Sequence, residues 1–173
     1  LKLYERIKEK CLNYLDGMFS LVIYDKFKKK IFFARDRFGI KPLYYYHCEE
    51  YLFLSSEIKP IIKFNKKINF NEKQIFDFFC KQKMDHEEKT FFSNINSLPP
   101  SCRGEFNKGT KIKIFKYWDI NSIEKKSVTD LACIKKIKKL HTSSIKNHLL
   151  SDVEVGSFLS GGTDSTTLTE SRL

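Results

Sequence analysis

Apolar positions along the chain change their period several times, and each change marks an element. Leu3, Ile7, Cys11, Leu12 and Leu15 recur at helical spacing and predict a helix over residues 1–15, stopped by Asp16-Gly17. Four short β-rich runs follow: Met18–Tyr24, Ile31–Ala34, Leu43–Tyr46 and Tyr51–Leu54. Charged or Gly/Pro turns at 25–30, 39–42 and 48–50 separate them, so the pattern predicts an antiparallel meander. The first run is almost wholly apolar, and cover on both faces is expected, which requires a second layer. Glu57–Ile62 reads as a helical turn and Asn71–Cys80 as a short amphipathic helix capped by Asn71. Residues 84–110 are turn-rich, with Pro99-Pro100 marking an irregular connection, and Lys111–Tyr117 reads as a strand. After a polar linker over Asn121–Ser127, a long helix is expected from Thr129 to Leu150. Leu131, Ile134, Ile137, Leu140, Ile145 and Leu149 lie on or near one of its faces. Val153–Leu159 reads as a final strand.

Composition narrows the class. The 173 residues suffice for one ordinary domain or parts of two, and 16 Phe with 8 Tyr can build a core. The net charge of +11 invites a nucleic-acid reading, but 27 of the 32 cationic residues are Lys and only 5 are Arg. Phosphate and base-edge recognition favours the forked guanidinium, and these lysines are scattered, so a solvated surface is the expectation. The five cysteines form an odd set without CxxC spacing, which fits neither a disulfide framework nor a zinc site. With no signal-peptide pattern and no apolar stretch long enough for a bilayer, a soluble cytoplasmic protein is expected. His47, His86, His141 and His148 show no metal-ligand spacing; the last two, seven apart on the long helix, read as surface or interface groups.

One segment carries chemistry: Phe158-Leu159-Ser160-Gly161-Gly162-Thr163-Asp164-Ser165. A glycine pair between a predicted strand and a helical start at Thr166-Thr167-Leu168 lets several N–H groups aim at one point, where the helix also presents its positive end. The hydroxyls of Ser160, Ser165 and Thr166 add uncharged donors. Asp164 is out of place beside bare phosphate but suits a Mg²⁺ ion bridging phosphate and carboxylate. The alternative is a plain Gly-Gly turn with polar neighbours. GxxxxGK[ST] is absent, so this is no Walker loop. The SGGxDS form resembles the pyrophosphate-binding loop of the N-type ATP pyrophosphatases, which cleave ATP between its α and β phosphates.

Upstream blocks select among the families with that loop. Leu15-Asp16-Gly17-Met18-Phe19 with Ile23-Tyr24-Asp25, Arg35-Asp36-Arg37-Phe38-Gly39-Ile40-Lys41-Pro42-Leu43-Tyr44-Tyr45, Ser55-Ser56-Glu57-Ile58-Lys59, Lys116-Tyr117-Trp118 and Ser151-Asp152-Val153 resemble, in order, segments of the glutamine-dependent asparagine synthetases. That resemblance implies an α+β then α/β chain: part of an antiparallel N-terminal-nucleophile hydrolase sandwich, then the start of an adenine-nucleotide α-hydrolase-like parallel domain. It places the glutamine amidotransferase part at 1–118, a linker at 119–127 and the synthetase part at 128–173. It implies formation of asparagine from aspartate, ATP and glutamine-derived ammonia through β-aspartyl-AMP. ATP and pyrophosphate contacts fall on Leu159, Ser160, Gly161, Gly162, Asp164 and Ser165, with Mg²⁺ at Asp164. Aspartate, glutamine and ATP are the expected partners, without nucleic acid or membrane, and a homodimer is left open.

The same resemblance puts the glutaminase cysteine and its substrate-binding residues upstream of Leu1, so no glutaminase catalytic residue is expected and the chain alone is expected to be inactive. Cys11 reads as a core thiol, and Cys102, in a loop beside Arg103, has no identifiable base. Pro60, Ser101, Glu154 and Thr163 depart from the family's usual residues. Arg35, Asp36 and Arg37 suggest an ion-pair cluster at a domain junction, or a role in guiding ammonia. A related amidotransferase-ligase acting on another carboxylate, a non-catalytic remnant and a basic nucleic-acid-binding protein are the alternatives.

Overall fold

A computed structural model describes residues 1–48, 51–65, 68–84, 86–125, 127 and 129–170. The turn residues 49–50, parts of the expected linker and second domain (126, 128) and residues 171–173 lie outside the described residues. The chain divides into two compact units, Leu1–Ile123 and Glu124–Leu173.

The first unit stacks two antiparallel sheets. β1 (Ser20–Asp25), β2 (Lys30–Arg35), β6 (Cys102–Asn107) and β7 (Lys113–Lys116) form one, in the order β1-β2-β6-β7. β3 (Tyr44–His47), β4 (Leu52–Ser55) and β5 (Ile95–Ser97) form the other, in the order β4-β3-β5. The predicted four-strand meander is therefore corrected to two hairpins in separate sheets. Alternation along β2 explains the layering. Phe32 and Ala34 face one way, onto Tyr4, Cys11 and Leu12. Phe33 faces the other way and shares the inter-sheet core with Leu43, Tyr45, Leu98 and Cys102.

Helices close the outer faces. α1 (Lys2–Ile7) ends where Lys8 turns left-handed at φ 52°, and a 3₁₀ segment, Lys8–Tyr14, carries Cys11 and Leu12 into the core. The single helix expected over 1–15 is thus broken. α2 (Ile58–Phe64) lies on β3 and β4 through the buried Ile61 and a Phe53–Phe64 ring contact with centroids 4.4 Å apart. α3 (Glu72–Lys81) begins at Asn71, whose side chain accepts a hydrogen bond from the Gln74 N–H, as the capping residue predicts.

β1 departs from expectation: Val22 is 49% and Tyr24 57% exposed. Both lie on the face of Phe33, but the second sheet is three strands wide and the residues packed on its core include Ile31 and Ile114, not β1. β5 and β6 fall within the segment read as turn-rich. Gly104 in the middle of β6 imitates a turn, yet it pairs with Phe33 on the inner face, and a Cβ there would overlap the edge of the Phe33 ring.

The second unit contains α4 (Asp130–His148) and α5 (Thr163–Glu170). α4 matches the predicted long helix; Ile145 is buried, whereas Leu131, Ile134, Ile137 and Leu140 are exposed. The expected strand over Val153–Leu159 is absent. A parallel strand exists only through its neighbours' hydrogen bonds, and the described residues of this unit offer no second strand. No helix is long and apolar enough to cross a membrane among the described residues.

Candidate functional site

The glycine loop opens α5. Gly161 takes φ +79°, a left-handed conformation that suits glycine, and a Cβ there would meet nothing within 4 Å. At Gly162 an added Cβ would meet only Ser160 Oγ, at 3.5 Å, so space above both glycines is open. The Gly162 carbonyl accepts from the Thr166 N–H (3.1 Å), Ser165 Oγ (3.0 Å) and Thr166 Oγ1 (2.9 Å), which anchors the loop to the first helical turn. Ser160 Oγ and Ser165 Oγ are 3.0 Å apart and close the loop. The structure therefore brings Ser160, Gly161, Gly162 and Ser165 together at a helix start, with Asp164 exposed on the first turn. Leu159 is exposed and precedes the loop. The N–H groups of a first helical turn lack intrahelical acceptors, and the macrodipole places positive potential there. Such an arrangement can hold an anionic group without carrying a formal positive charge. Beside the loop, within the same unit, His141, Ile145, His148, Val155, Ser157 and Leu168 line a cavity of about 270 Å³.

Arg35, Asp36 and Arg37 do not form the expected ion-pair cluster. Asp36, 1% exposed, accepts backbone N–H bonds from Phe19 (3.3 Å), Phe38 (3.1 Å), Ile40 (3.0 Å) and Lys41 (2.9 Å). Burial pulls its carboxyl up, but these donors outweigh burial and hold it below the usual carboxylate range. The Arg35 guanidinium donates to the carbonyls of Gly39, Lys41 and Leu98 and to Ser97 Oγ. Arg37 lies over the Trp118 ring and donates to the Asn13 carbonyl. Backbone groups, not opposite charges, are what Asp36 and Arg35 satisfy, where the chain leaves one sheet for the other.

Two of the five thiols, Cys11 and Cys102, lie in the core. Burial pushes both upward, opposite to what an activated nucleophile needs. Cys102 opens β6 and does not sit in a loop, as expected from its neighbours. His86, which sequence spacing leaves isolated, meets Asp77 and Glu87, with ligand atoms within 4.8 Å of one another. Lys81 bonds Asp77 at 2.7 Å and Lys73 bonds Glu87 at 2.7 Å, so ammonium groups already neutralise these carboxylates.

Two family models match the chain. Residues 136–171, which contain the loop, match the asparagine synthase family, and residues 1–118 match a glutamine amidotransferase domain. The chain is 38% identical to asparagine synthetase [glutamine-hydrolyzing] 2 of Bacillus subtilis over 94% of its own length and 23% of that protein. It is 34% identical to a putative asparagine synthetase [glutamine-hydrolyzing] 2 of Methanocaldococcus jannaschii over 97% of its length and 33% of that protein. Amidase chyE of Penicillium rubens is 27% identical over 97% of this chain and 25% of that protein. The chain thus spans about a quarter to a third of these relatives. With paired antiparallel sheets bounded by helices and a match over residues 1–118, the chain belongs to the glutamine amidotransferase domain family, of the kind joined to an asparagine synthase domain.

Proposed function

We propose that this chain is part of an ATP-dependent amidoligase that makes asparagine from aspartate with ammonia released from glutamine, and that the Ser160–Ser165 loop holds the phosphates of ATP. The supporting observation is the loop's construction: two glycines with open space above them, a left-handed Gly161 and a Ser160–Ser165 hydroxyl pair at the start of α5. Residues 1–118 would belong to the glutaminase part, 119–127 to the linker and 128–173 to the synthetase part.

The chemistry explains the need for such a loop. A carboxylate is a poor electrophile because its leaving group would be oxide. In the proposed first step an oxygen of the aspartate side chain bonds to the α-phosphorus of ATP. The α–β anhydride bond breaks, pyrophosphate departs with the bonding electrons, and β-aspartyl-AMP remains. Ammonia then attacks the activated carbonyl, loses a proton and expels AMP. Loop N–H groups with Ser160 and Ser165 would hold the departing phosphates, and the Leu159 backbone would lie against adenine. Donors fixed in advance at the place where charge develops are worth more than donors recruited from water. Mg²⁺, when bound, would offset the phosphate charge, and the exposed Asp164 carboxylate on the first turn fits that role.

ATP–pyrophosphate exchange in the presence of aspartate tests the assignment in the full-length protein. Asp164→Ala should abolish exchange and leave glutamine hydrolysis unchanged. Exchange at the unsubstituted rate by this variant would overturn the reading.

A further inference from the structure

The lysines on and after α3 fall into two sets. Lys73 and Lys81 have carboxylate partners, Glu87 and Asp77, each at 2.7 Å. Lys83 and Lys89 have none: among the described residues no carboxylate lies within ion-pair distance of either. Glu88, beside Lys89 in the chain, acts instead on Tyr45 and Cys102, whose titration its charge pushes upward. Tyr45 faces the side of β3 opposite to Tyr44. The acids of this region are thus matched or turned elsewhere, and two ammonium groups are left over.

A lone exposed lysine is ordinarily just hydrated. These two differ because both line one cavity of about 220 Å³, with Tyr44, Gln74, Met84 and Phe91. The backbone on either side of it is fixed. Lys83 follows the left-handed cap at Gln82, and its N–H donates to the Asp77 carbonyl at 3.1 Å. Lys89 bridges to Asn96, beside which its Nζ donates to the Asn96 amide oxygen at 3.0 Å. Thr90 Oγ1 donates to the Ile95 carbonyl at 2.8 Å and ties the same segment to β5. Gln74 is 5% exposed, and its Nε2 is held by Glu87 at 3.2 Å. The Tyr44 hydroxyl has no hydrogen-bond partner among the described residues, so it remains a donor for whatever enters.

We propose that this cavity binds a small organic carboxylate, with Lys83 and Lys89 taking its charge and Met84 and Phe91 its apolar body. Concave sites with apolar walls and a few convergent polar groups are the ordinary form of small-molecule sites. The two cations are ammonium groups, point charges without the forked geometry that suits phosphate esters. A bare inorganic anion would leave the Met84 and Phe91 walls unused. The volume limits the ligand to the size of a single small metabolite. The site lies wholly in the first unit and is independent of the ATP reading.

Fluorine NMR of 4-fluorophenylacetate, titrated with the full-length protein, tests this. A ligand of that size should bind with a dissociation constant on the order of 1 mM. The neutral isostere 4-fluorophenylacetamide should bind about fivefold more weakly or worse. Lys83→Met and Lys89→Met keep the aliphatic stems at exposed positions. Each should weaken the carboxylate about threefold, and the pair about tenfold, with the amide unaffected. Unchanged far-UV circular dichroism checks the fold. ATP with Mg²⁺, aspartate or glutamate, each added alone, should leave the probe bound. Displacement by any of them would put the probe in a reaction site and overturn the proposal. No binding, equal affinity for acid and amide, or an affinity that the double variant leaves unchanged would overturn it equally. Displacement by inorganic phosphate at concentrations on the order of 1 mM would overturn the carboxylate assignment in favour of a bare oxyanion.

Discussion

Asp36 offers the sharpest test of how the first unit is held together. Its Oδ1 accepts the N–H groups of Phe38 and Ile40, and its Oδ2 those of Lys41 and Phe19. In Asp36→Asn one oxygen keeps two donors, now without charge, while the amide NH₂ is forced against the other two N–H groups. Hydrogen bonds to a charged acceptor contribute about 1.5–3 kcal/mol each, and a buried donor left unpaired costs about 1–3 kcal/mol. Two bonds lost and two weakened, with some relief by water, give a destabilisation of about 3 kcal/mol. A urea slope of about 2 kcal/mol/M turns that into a midpoint lower by about 1.5 M. Trp118 is the sole tryptophan and sits 5.5 Å, ring to ring, from Phe38, so its fluorescence reports unfolding at this corner. Acid adds a second arm. The folded carboxyl lies below its unfolded value, so its contribution is present above about pH 3.9 and is lost as pH falls through the folded value. The Asn variant should therefore lose less stability than the parent between about pH 5 and 2. A midpoint within about 0.3 M of the parent at pH 7, or an unchanged acid profile, would refute the reasoning.

Two further outcomes follow from the packing. Gly104→Ala should cost at least about 3 kcal/mol in urea unfolding, because its Cβ meets a Phe33 ring that is fully buried and cannot yield; adding Phe33→Leu should recover part of that loss, and no recovery would count against the steric cause. Burial pushes Tyr45 and Tyr117 up to about 12, and the Tyr117 hydroxyl donates to the Arg35 carbonyl at 2.8 Å. A folded value above the ordinary 10.0 means stability that is whole below pH 10 and lost as pH rises toward 12. The Trp118-monitored urea midpoint should fall over that interval, less steeply in Tyr117→Phe.

Legibility in the sequence depended on where each segment's hydrogen bonds go. The cap at Asn71, the long α4 and the short β-rich run that became β2 are local facts, and local spacing revealed them. β6 escaped because its alternation is hidden: Cys102 and Phe106 face inward, but the residue between them is Gly104, and the outward Arg103 and Glu105 look like a polar turn. Only the sheet explains them, for Glu105 pairs with Lys30 of the neighbouring strand at 2.7 Å and with Arg103. The strand expected over 153–159 failed for the converse reason, since apolar composition cannot supply the neighbouring strand that a β conformation needs. α3 was legible as an amphipathic helix, but not which side faces inward, because that is decided by Glu87 and His86, more than a helical turn beyond its end.

The two blocks that stand out by their letters differ in a way only coordinates disclose. In the 35–43 block polar capacity is used internally. Asp36 spends its two oxygens on four N–H groups and Arg35 covers four acceptors. Gly39, at φ +67°, has Pro100 Cγ 2.8 Å from where a Cβ would stand. Asp36 and Arg35 have little left over for a ligand and act as a corner brace, while the Arg37 Nε is buried without a partner among the described residues. In the 159–165 block the accounting is reversed. The glycines border open space, Asp164 is exposed, and among the described residues the Ser160 and Ser165 hydroxyls bond only within the loop. A hydroxyl whose partner is another hydroxyl can exchange it for a phosphate oxygen at small cost, whereas a guanidinium bound to four fixed acceptors cannot. Polar groups that remain exchangeable, placed on a backbone that is already anchored, are what a binding loop requires. By that physical criterion the proposed phosphate contacts suit the glycine loop better than the arginine-rich corner, even though the corner carries the stronger charges.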